Sequence, residues 1–463
     1  MKLSRFAHSY ELEGAVALYH SLRMRPVYLA DCEYKDLQAW LASPSAHSPE
    51  EAPDGLRKVV EELVKNRILT KTDDEDDRVL AYLKSKIPAP AVTVAYFILS
   101  EQCNLACRYC FLGNNDNSKR ANFLSGAMTE DVAENAIRFF VRQVKASDDG
   151  NGYSHPVVIF YGGEPMMNYP ILEYVARRFN ELRVSEPCMK DVELSVVTNG
   201  TLLDSDRIRR LHELKVGIGI SIDGFTPESN GMRVDVGGNP AYPRIIEALE
   251  LCRELSVPIS LSVTLSEETV RHKDEVLKLI QRFNIKSLGF NILMSSEAFP
   301  LPADYSERAA QFIIDEFISL RERGIYEDRM MRKLKAFTKA QVYYSDCAAT
   351  AGGQVVIAPD GRVGICHGCL HDKKYFVANV KDELFLAKDN PLWKEWASLS
   401  PINHEECQDC PALGICGGGC PINAMNAKVG NTIHSIDERF CAHSKKTLEF
   451  FIRDLYRIMK HKD

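Results

Sequence analysis

Three cysteines stand close together in Ser100-Glu101-Gln102-Cys103-Asn104-Leu105-Ala106-Cys107-Arg108-Tyr109-Cys110-Phe111, spaced C-x3-C-x2-C. Three thiolates on one tight loop can hold three corners of a cubane iron–sulfur cluster, which normally takes four cysteines. A missing fourth ligand leaves one iron open to bind something else. A zinc knuckle or a disulfide loop are the alternatives. Zinc favours four closed ligands and C-x2-C pairs, so this spacing is a poor zinc pattern.

The other cysteines are also grouped. The sequence has 14; eight fall between Cys347 and Cys441, and only Cys32, Cys188 and Cys252 stand alone. Those three sit among ordinary helix or strand residues and read as structural thiols. Cys347 and Cys366 flank Val355 to Ile365, whose Pro359-Asp360-Gly361 turn reads as a hairpin that brings them together. Cys407-x2-Cys410-x5-Cys416-x3-Cys420 and Cys441 follow. Met1 is not followed by a signal-peptide apolar core. A cytoplasmic protein is expected, and there many cysteines argue for metal sites rather than disulfides.

Cys103, Cys107 and Cys110, with Tyr109 and Phe111, resemble the signature loop of the radical S-adenosylmethionine (SAM) superfamily. The resemblance implies that the open iron chelates SAM. Reductive cleavage of SAM then gives a 5′-deoxyadenosyl radical that abstracts a hydrogen from the substrate. It also implies cofactor roles for three later segments. Gly162, Gly163 and Glu164 of Tyr161-Gly162-Gly163-Glu164-Pro165 meet the SAM amino group. Asn199, Ser221, Asp223 and Arg233 lie at or beyond strand ends that bind the methionine carboxylate and ribose, although Asn199 and Asp223 also suit helix caps. Leu293 and Tyr109 lie near adenine.

The C-terminal array resembles the SPASM domain, the two-cluster extension of radical SAM peptide-modifying enzymes; two interleaved zinc sites are the alternative. The resemblance assigns Cys407, Cys410, Cys416 and Cys441 to one auxiliary cluster, and Cys347, Cys366 and Cys420 to the other. Three [4Fe-4S] clusters follow in all. Cys369 either completes the second set or is a neighbouring free thiol. An open iron there would suit thioether chemistry. Sulfatase-maturing relatives carry an aspartate proton acceptor immediately after the hairpin cysteine, where this sequence has His367. Imidazole is a competent base near neutral pH, and the alternative is a histidine that orients the cluster.

The elements that must position these residues alternate. Strands are expected at Val92–Leu99, Val157–Tyr161, Val192–Thr198, Gly217–Ile222, Ile259–Leu265 and Ser287–Ile292. Helices are expected at Glu130–Val144, Tyr169–Arg183, Arg207–Leu214 and Ile245–Leu255. Such alternation implies a parallel sheet. Six units fit a partial (β/α)6 barrel with its site at the C-terminal strand ends. The expected fold is α/β: residues 1–90 a winged-helix-like peptide-recognition domain, 91–300 the radical SAM core, 301–345 a helical bridge and 346–463 the SPASM domain. In the first of these, strands near Ala15–Tyr19, Val27–Leu29 and Ile68–Thr70 and helices over Tyr34–Trp40 and Leu56–Lys65 are expected, with Asp73 to Asp77 as a solvated acidic turn.

The 463 residues carry a net charge of −7, which gives no electrostatic case for nucleic acid, and no apolar run is long enough to span a membrane. The leading expectation is a maturase that oxidises or crosslinks, by a thioether or carbon–carbon bond, a residue of a ribosomally made precursor peptide with a leader. Its electrons would come from a low-potential flavodoxin or ferredoxin. The alternatives are a sulfatase-type maturase that makes formylglycine on a protein client, and a non-enzymatic iron–sulfur or zinc module for binding or electron transfer.

Overall fold

The computed structural model describes residues 1–43, 48–72, 74–110, 112, 126–148, 155–294 and 300–460. Phe111 and Asp73 lie outside the described residues.

The chain opens with a short strand β1 (Lys2–Leu3) and a three-stranded antiparallel sheet of β2 (Ala7–Leu12), β3 (Ala15–His20) and β4 (Val27–Ala30). Strand β3 is buried along its whole length because alternate side chains serve two cores. Val16 and Leu18 pack with Leu29, Leu37, Val60 and Leu63 of the N-terminal region. Ala17 and Tyr19 belong to the main core. The helices Asp31–Leu41 and Arg57–Lys65 form as expected, and β5 (Leu69–Thr70) pairs with β1. The acidic run is a correction. Asp74 to Asp77 open the helix Asp74–Lys84, where the helix dipole favours carboxylates. Asp76 is buried and accepts hydrogen bonds from Ser4 Oγ (2.7 Å) and Arg5 N (2.9 Å).

Six parallel strands then pair in chain order: β6 (Val94–Ser100), β7 (Val157–Gly162), β8 (Glu193–Thr198), β9 (Val216–Ile222), β10 (Ile259–Leu265) and β11 (Ser287–Ile292). Helices Glu130–Ser147, Tyr169–Ser185, Ser205–Glu213 and Tyr242–Glu254 fill successive crossovers. Two shorter helices, Glu267–Arg271 and Asp274–Arg282, which the sequence reading did not anticipate, fill the last one. The alternating buried and part-buried positions of β7 and β11 place every second side chain in the core.

The sheet does not stop at six strands. After the helix Tyr305–Glu322, β12 (Tyr326–Glu327) adds in parallel beside β11. The helix Asp328–Lys339 follows. On the other edge β13 (Gln354–Ile357) pairs in parallel with β6, and β14 (Arg362–Gly364) and β15 (Phe376–Asn379) extend it antiparallel. The hairpin expected between Cys347 and Cys366 therefore continues the barrel sheet, and seats those cysteines beside the strand that leads into Cys103. A long helix, Glu438–Lys460, closes the chain and packs on Tyr305–Glu322. Among the described residues no helix is long and apolar enough to cross a membrane.

Candidate functional site

A cavity of about 650 Å³ opens at the C-terminal ends of the parallel strands. Cys103, Cys107 and Cys110 line it, and so do Cys347, Cys366, His367 and Cys420. Gly162, Gly163, Glu164, Asn199, Ser221, Arg233, Leu293 and Tyr109 line it too. Cysteines more than 300 positions apart in sequence thus face one space.

The loop after β6 is held by three neighbours. Gly163 N donates to Ser100 O (2.9 Å), and Glu164 N to Gln102 O (2.9 Å). A Cβ on Gly162, whose φ is +145°, would sit 2.2 Å from Ser100 O, and one on Gly163 2.3 Å from Gln102 O. Both glycines are thus demanded by the cysteine loop pressing on them. On the far side Ala106 N donates to Val234 O (2.7 Å) and Arg108 N to Met232 O (3.1 Å), so the segment carrying Arg233 pins the same loop. The third tie comes from β8: Asn199 Nδ2 donates to Asn104 Oδ1 (2.9 Å) and lies 3.9 Å from Cys103 Sγ. Asn104 Nδ2 in turn donates to Thr201 Oγ1 (2.8 Å). Sequence reasoning missed Asn104 and Thr201, because nothing in their spacing marks a contact between the loops after β6 and β8.

Glu164 is fully buried. Its Oε1 accepts from Thr198 Oγ1 (2.7 Å) and Met166 N (3.0 Å), and its Oε2 from Asn199 N (2.8 Å). Burial pushes its carboxyl up in pKa against these bonds. Asp223 departs from expectation. Its side chain does not line the cavity; it is 0 % exposed, and its Oδ1 accepts from Arg233 Nε (2.7 Å) and from the Tyr109 hydroxyl. It orients two lining residues instead of facing the space itself.

The His367 ring stacks on Tyr96 (centroids 4.5 Å apart, 18° between planes) and meets Tyr161 edge-on at 5.1 Å. Burial pushes its pKa down to about 4, which corrects the expectation of a base poised near neutrality. At pH 7 the imidazole is neutral. Cys366 Sγ accepts from Gly368 N (3.4 Å). The Cys369 thiol lies against Cys366 but is buried in the core, outside the cavity lining.

Cys407, Cys410, Cys416 and Cys441 do not line the cavity but lie close together: burial, then Cys416, Cys441 and Cys410, push the Cys407 thiol up, and burial, then Cys416 and Cys410, push up that of Cys441. Gly417, Gly418 and Gly419 separate the two sets, with φ of +75°, +88° and +77°. A Cβ on Gly417 would lie 2.7 Å from Asp346 N, and one on Gly419 2.9 Å from Asp437 Cβ. This left-handed turn sends Cys416 to the outer set and Cys420 to the cavity.

Comparison with known proteins decides what this geometry belongs to. The family model described as the Radical SAM superfamily matches residues 97–280, the segment from β6 into the crossover before β11. Those residues are a radical SAM domain. The chain is 26% identical over 357 residues to the radical SAM cyclopropyl synthase TigE of Paramaledivibacter caminithermalis, covering 74% of this chain and 70% of that one. It is 28% identical over 342 residues to a cysteine-type anaerobic sulfatase-maturating enzyme of Clostridium perfringens, covering 69% and 86%. In fold it resembles the crystal structure of Streptococcus suis SuiB bound to its precursor peptide SuiA, with a TM-score of 0.53 at 15% identity over 95% of this chain and 99% of that one.

A radical SAM domain implies SAM and a [4Fe-4S] cluster, and the residues present fit both. The donor set at the strand ends is all soft sulfur, which suits iron–sulfur rather than oxygen-seeking metals. Burial, with Glu164 adding to it, pushes the Cys103 thiol up to about 12, and a bound metal would favour its thiolate. Arg233 spends Nε on Asp223 and lines the cavity, where its guanidinium can meet a ligand carboxylate.

Proposed function

We propose that this radical SAM enzyme matures a ribosomally made precursor peptide, oxidising a residue with loss of two hydrogens to form a thioether or carbon–carbon bond. The observation that carries this reading is the shared cavity: Cys103, Cys107 and Cys110 line the same space, of about 650 Å³, as Cys347, Cys366 and Cys420. When bound, the cluster at Cys103, Cys107 and Cys110 and its SAM supply the adenosyl radical that takes a substrate hydrogen. Arg233, held by Asp223, binds the SAM carboxylate; Gly162, Gly163, Glu164 and Asn199 frame its amino end; Ser221, Leu293 and Tyr109 line the rest. Cys347, Cys366 and Cys420 would hold an inner auxiliary cluster, which would supply an open iron for a substrate thiolate and an acceptor for the electron the substrate gives up. Cys407, Cys410, Cys416 and Cys441 hold an outer one. The neutral His367 accepts the substrate proton transiently and relays it. Residues 1–90 bind the leader, and a cytoplasmic flavodoxin or ferredoxin supplies electrons.

The test is anaerobic co-expression with each short open reading frame beside the gene, followed by tandem mass spectrometry. Loss of two hydrogens between two residues is the expected result; loss within one residue would move the reaction toward the ring closure named for TigE. An unchanged set of peptides removes the precursor reading. A second reading, formylglycine formation on a protein client, is favoured by the likeness to the sulfatase-maturating enzyme, which spans 86% of that protein. It predicts that a cysteine or serine peptide from a sulfatase is converted to the aldehyde by the purified enzyme.

A further inference from the structure

Lys333 lies on the helix Asp328–Lys339, 1 % exposed, at a place the proposed reaction does not use. Its Nζ donates to Cys416 O (2.9 Å), Ile415 O (3.3 Å) and Ser444 Oγ (3.1 Å). All three acceptors are neutral. The same helix carries Arg329 and Arg332, and the nearby carboxylates are matched to them: Asp346 to Arg329 (3.5 Å) and Asp328 to Arg332 (2.8 Å). Among the described residues no carboxylate touches Lys333, although Asp346 acts on it from a distance and Glu327 caps the start of the same helix, and Lys333 is the most deeply buried of the three cations.

A buried ammonium among neutral acceptors is strongly unfavourable unless an anion lies close. Two of its bonds end on the turn that carries Cys416, and the third on Ser444, three residues beyond Cys441. The anion these positions point to is a four-thiolate iron–sulfur cluster, which carries net negative charge and gains one more on reduction. We infer that Lys333 is a positioning residue for the outer auxiliary cluster: its buried charge offsets that of the cluster and makes the cluster easier to reduce. This rests on the reading that Cys407, Cys410, Cys416 and Cys441 hold that cluster. The physical lever is a fixed charge beside the cluster, which sets its potential without touching substrate.

The test uses the full chain carrying Cys103→Ala, Cys107→Ala and Cys110→Ala, so that only auxiliary clusters give a signal. Iron content and an EPR-monitored titration with dithionite are recorded for this background and with Lys333→Met, Lys333→Gln or Lys333→Arg added. The neutral variants should lower the reduced-to-oxidised ratio of one auxiliary cluster about tenfold at a fixed potential, a shift of ~59 mV for one electron. Lys333→Arg should stay near the unsubstituted value. Cluster loss in both neutral variants with retention in Lys333→Arg also supports the charge requirement. Unchanged potentials in a neutral variant of full iron content, or cluster loss in Lys333→Arg as well, overturn the inference alone. Absence of auxiliary iron from the Lys333-containing background would instead overturn the cluster reading beneath it.

Discussion

Asp223 Oδ1 stands 2.7 Å from Arg233 Nε, and the same oxygen accepts from the Tyr109 hydroxyl. One fully buried carboxylate therefore fixes both the guanidinium beside the cavity and a ring of the cysteine loop. Asp223→Ala leaves Arg233 buried without its counter-charge, a loss of about 3–5 kcal/mol. Denaturant unfolding should show that loss. SAM binding by calorimetry should weaken more than in Asp223→Asn, which keeps an acceptor oxygen for the same two donors. Equal SAM affinity in both variants would mean that Arg233 does not bind the cofactor.

Gly162→Ala should be far worse than an ordinary loop substitution. Its methyl would meet Ser100 O at 2.2 Å, and its φ of +145° is one that side chains rarely adopt. The strain alone is about 1–3 kcal/mol. Because the clash falls on the loop that carries Cys103, iron content should drop before secondary structure does. Full iron with unchanged thermal stability would show that the contact yields.

Cys103→Ala should abolish 5′-deoxyadenosine formation, read by chromatography of the reduced, reconstituted protein with SAM. Iron bound by the other cysteines should remain. Any residual product above background would argue that the strand-end thiols are not where SAM is cleaved.

Cys369 and Cys366 are neighbours with different outlooks: one faces the core and the other the cavity. Cys366→Ala should remove iron from the inner site, whereas Cys369→Ala should leave iron content unchanged and cost stability only through packing. Loss of iron in Cys369→Ala would make it the fourth ligand and close the iron proposed to meet substrate.

His20 supplies the pH dependence. Burial pushes its pKa down to about 3, and its Nδ1 accepts from Leu22 N (3.2 Å). The unfolded chain takes up the proton near pH 6.5 and the folded chain does not. The stability it contributes is complete above about pH 6.5 and is lost as pH falls toward 3, by up to ~1.4 kcal/mol per unit. His20→Asn, which retains an acceptor oxygen, should flatten the fall in unfolding free energy over that range. An unchanged slope would show that His20 titrates normally in the folded protein.

Much of this was open to reading in the chain itself. The C-x3-C-x2-C loop, the Gly-Gly-Glu-Pro turn and the six alternating units are local in sequence. Cysteine spacing points to a cluster with an open iron, the resemblance of these motifs to a known family implies the chemistry, and the hydrophobic period gives the strands that carry it, as β10 and β11 illustrate by forming over the expected residues. Tertiary structure decided what depends on contacts between distant segments. The pairing of β13 with β6 brings Cys347 and Cys366 to the same cavity as Cys103. The left-handed glycines after Cys416 part the two auxiliary sets. Asp223 turned inward to Arg233, His367 lost its ordinary pKa to burial between two tyrosine rings, and Asp74 to Asp77 became a helix start once Ser4 and Arg5 reached Asp76. Each outcome depends on which group fills the space around a side chain, and desolvation and charge pairing are properties of that space.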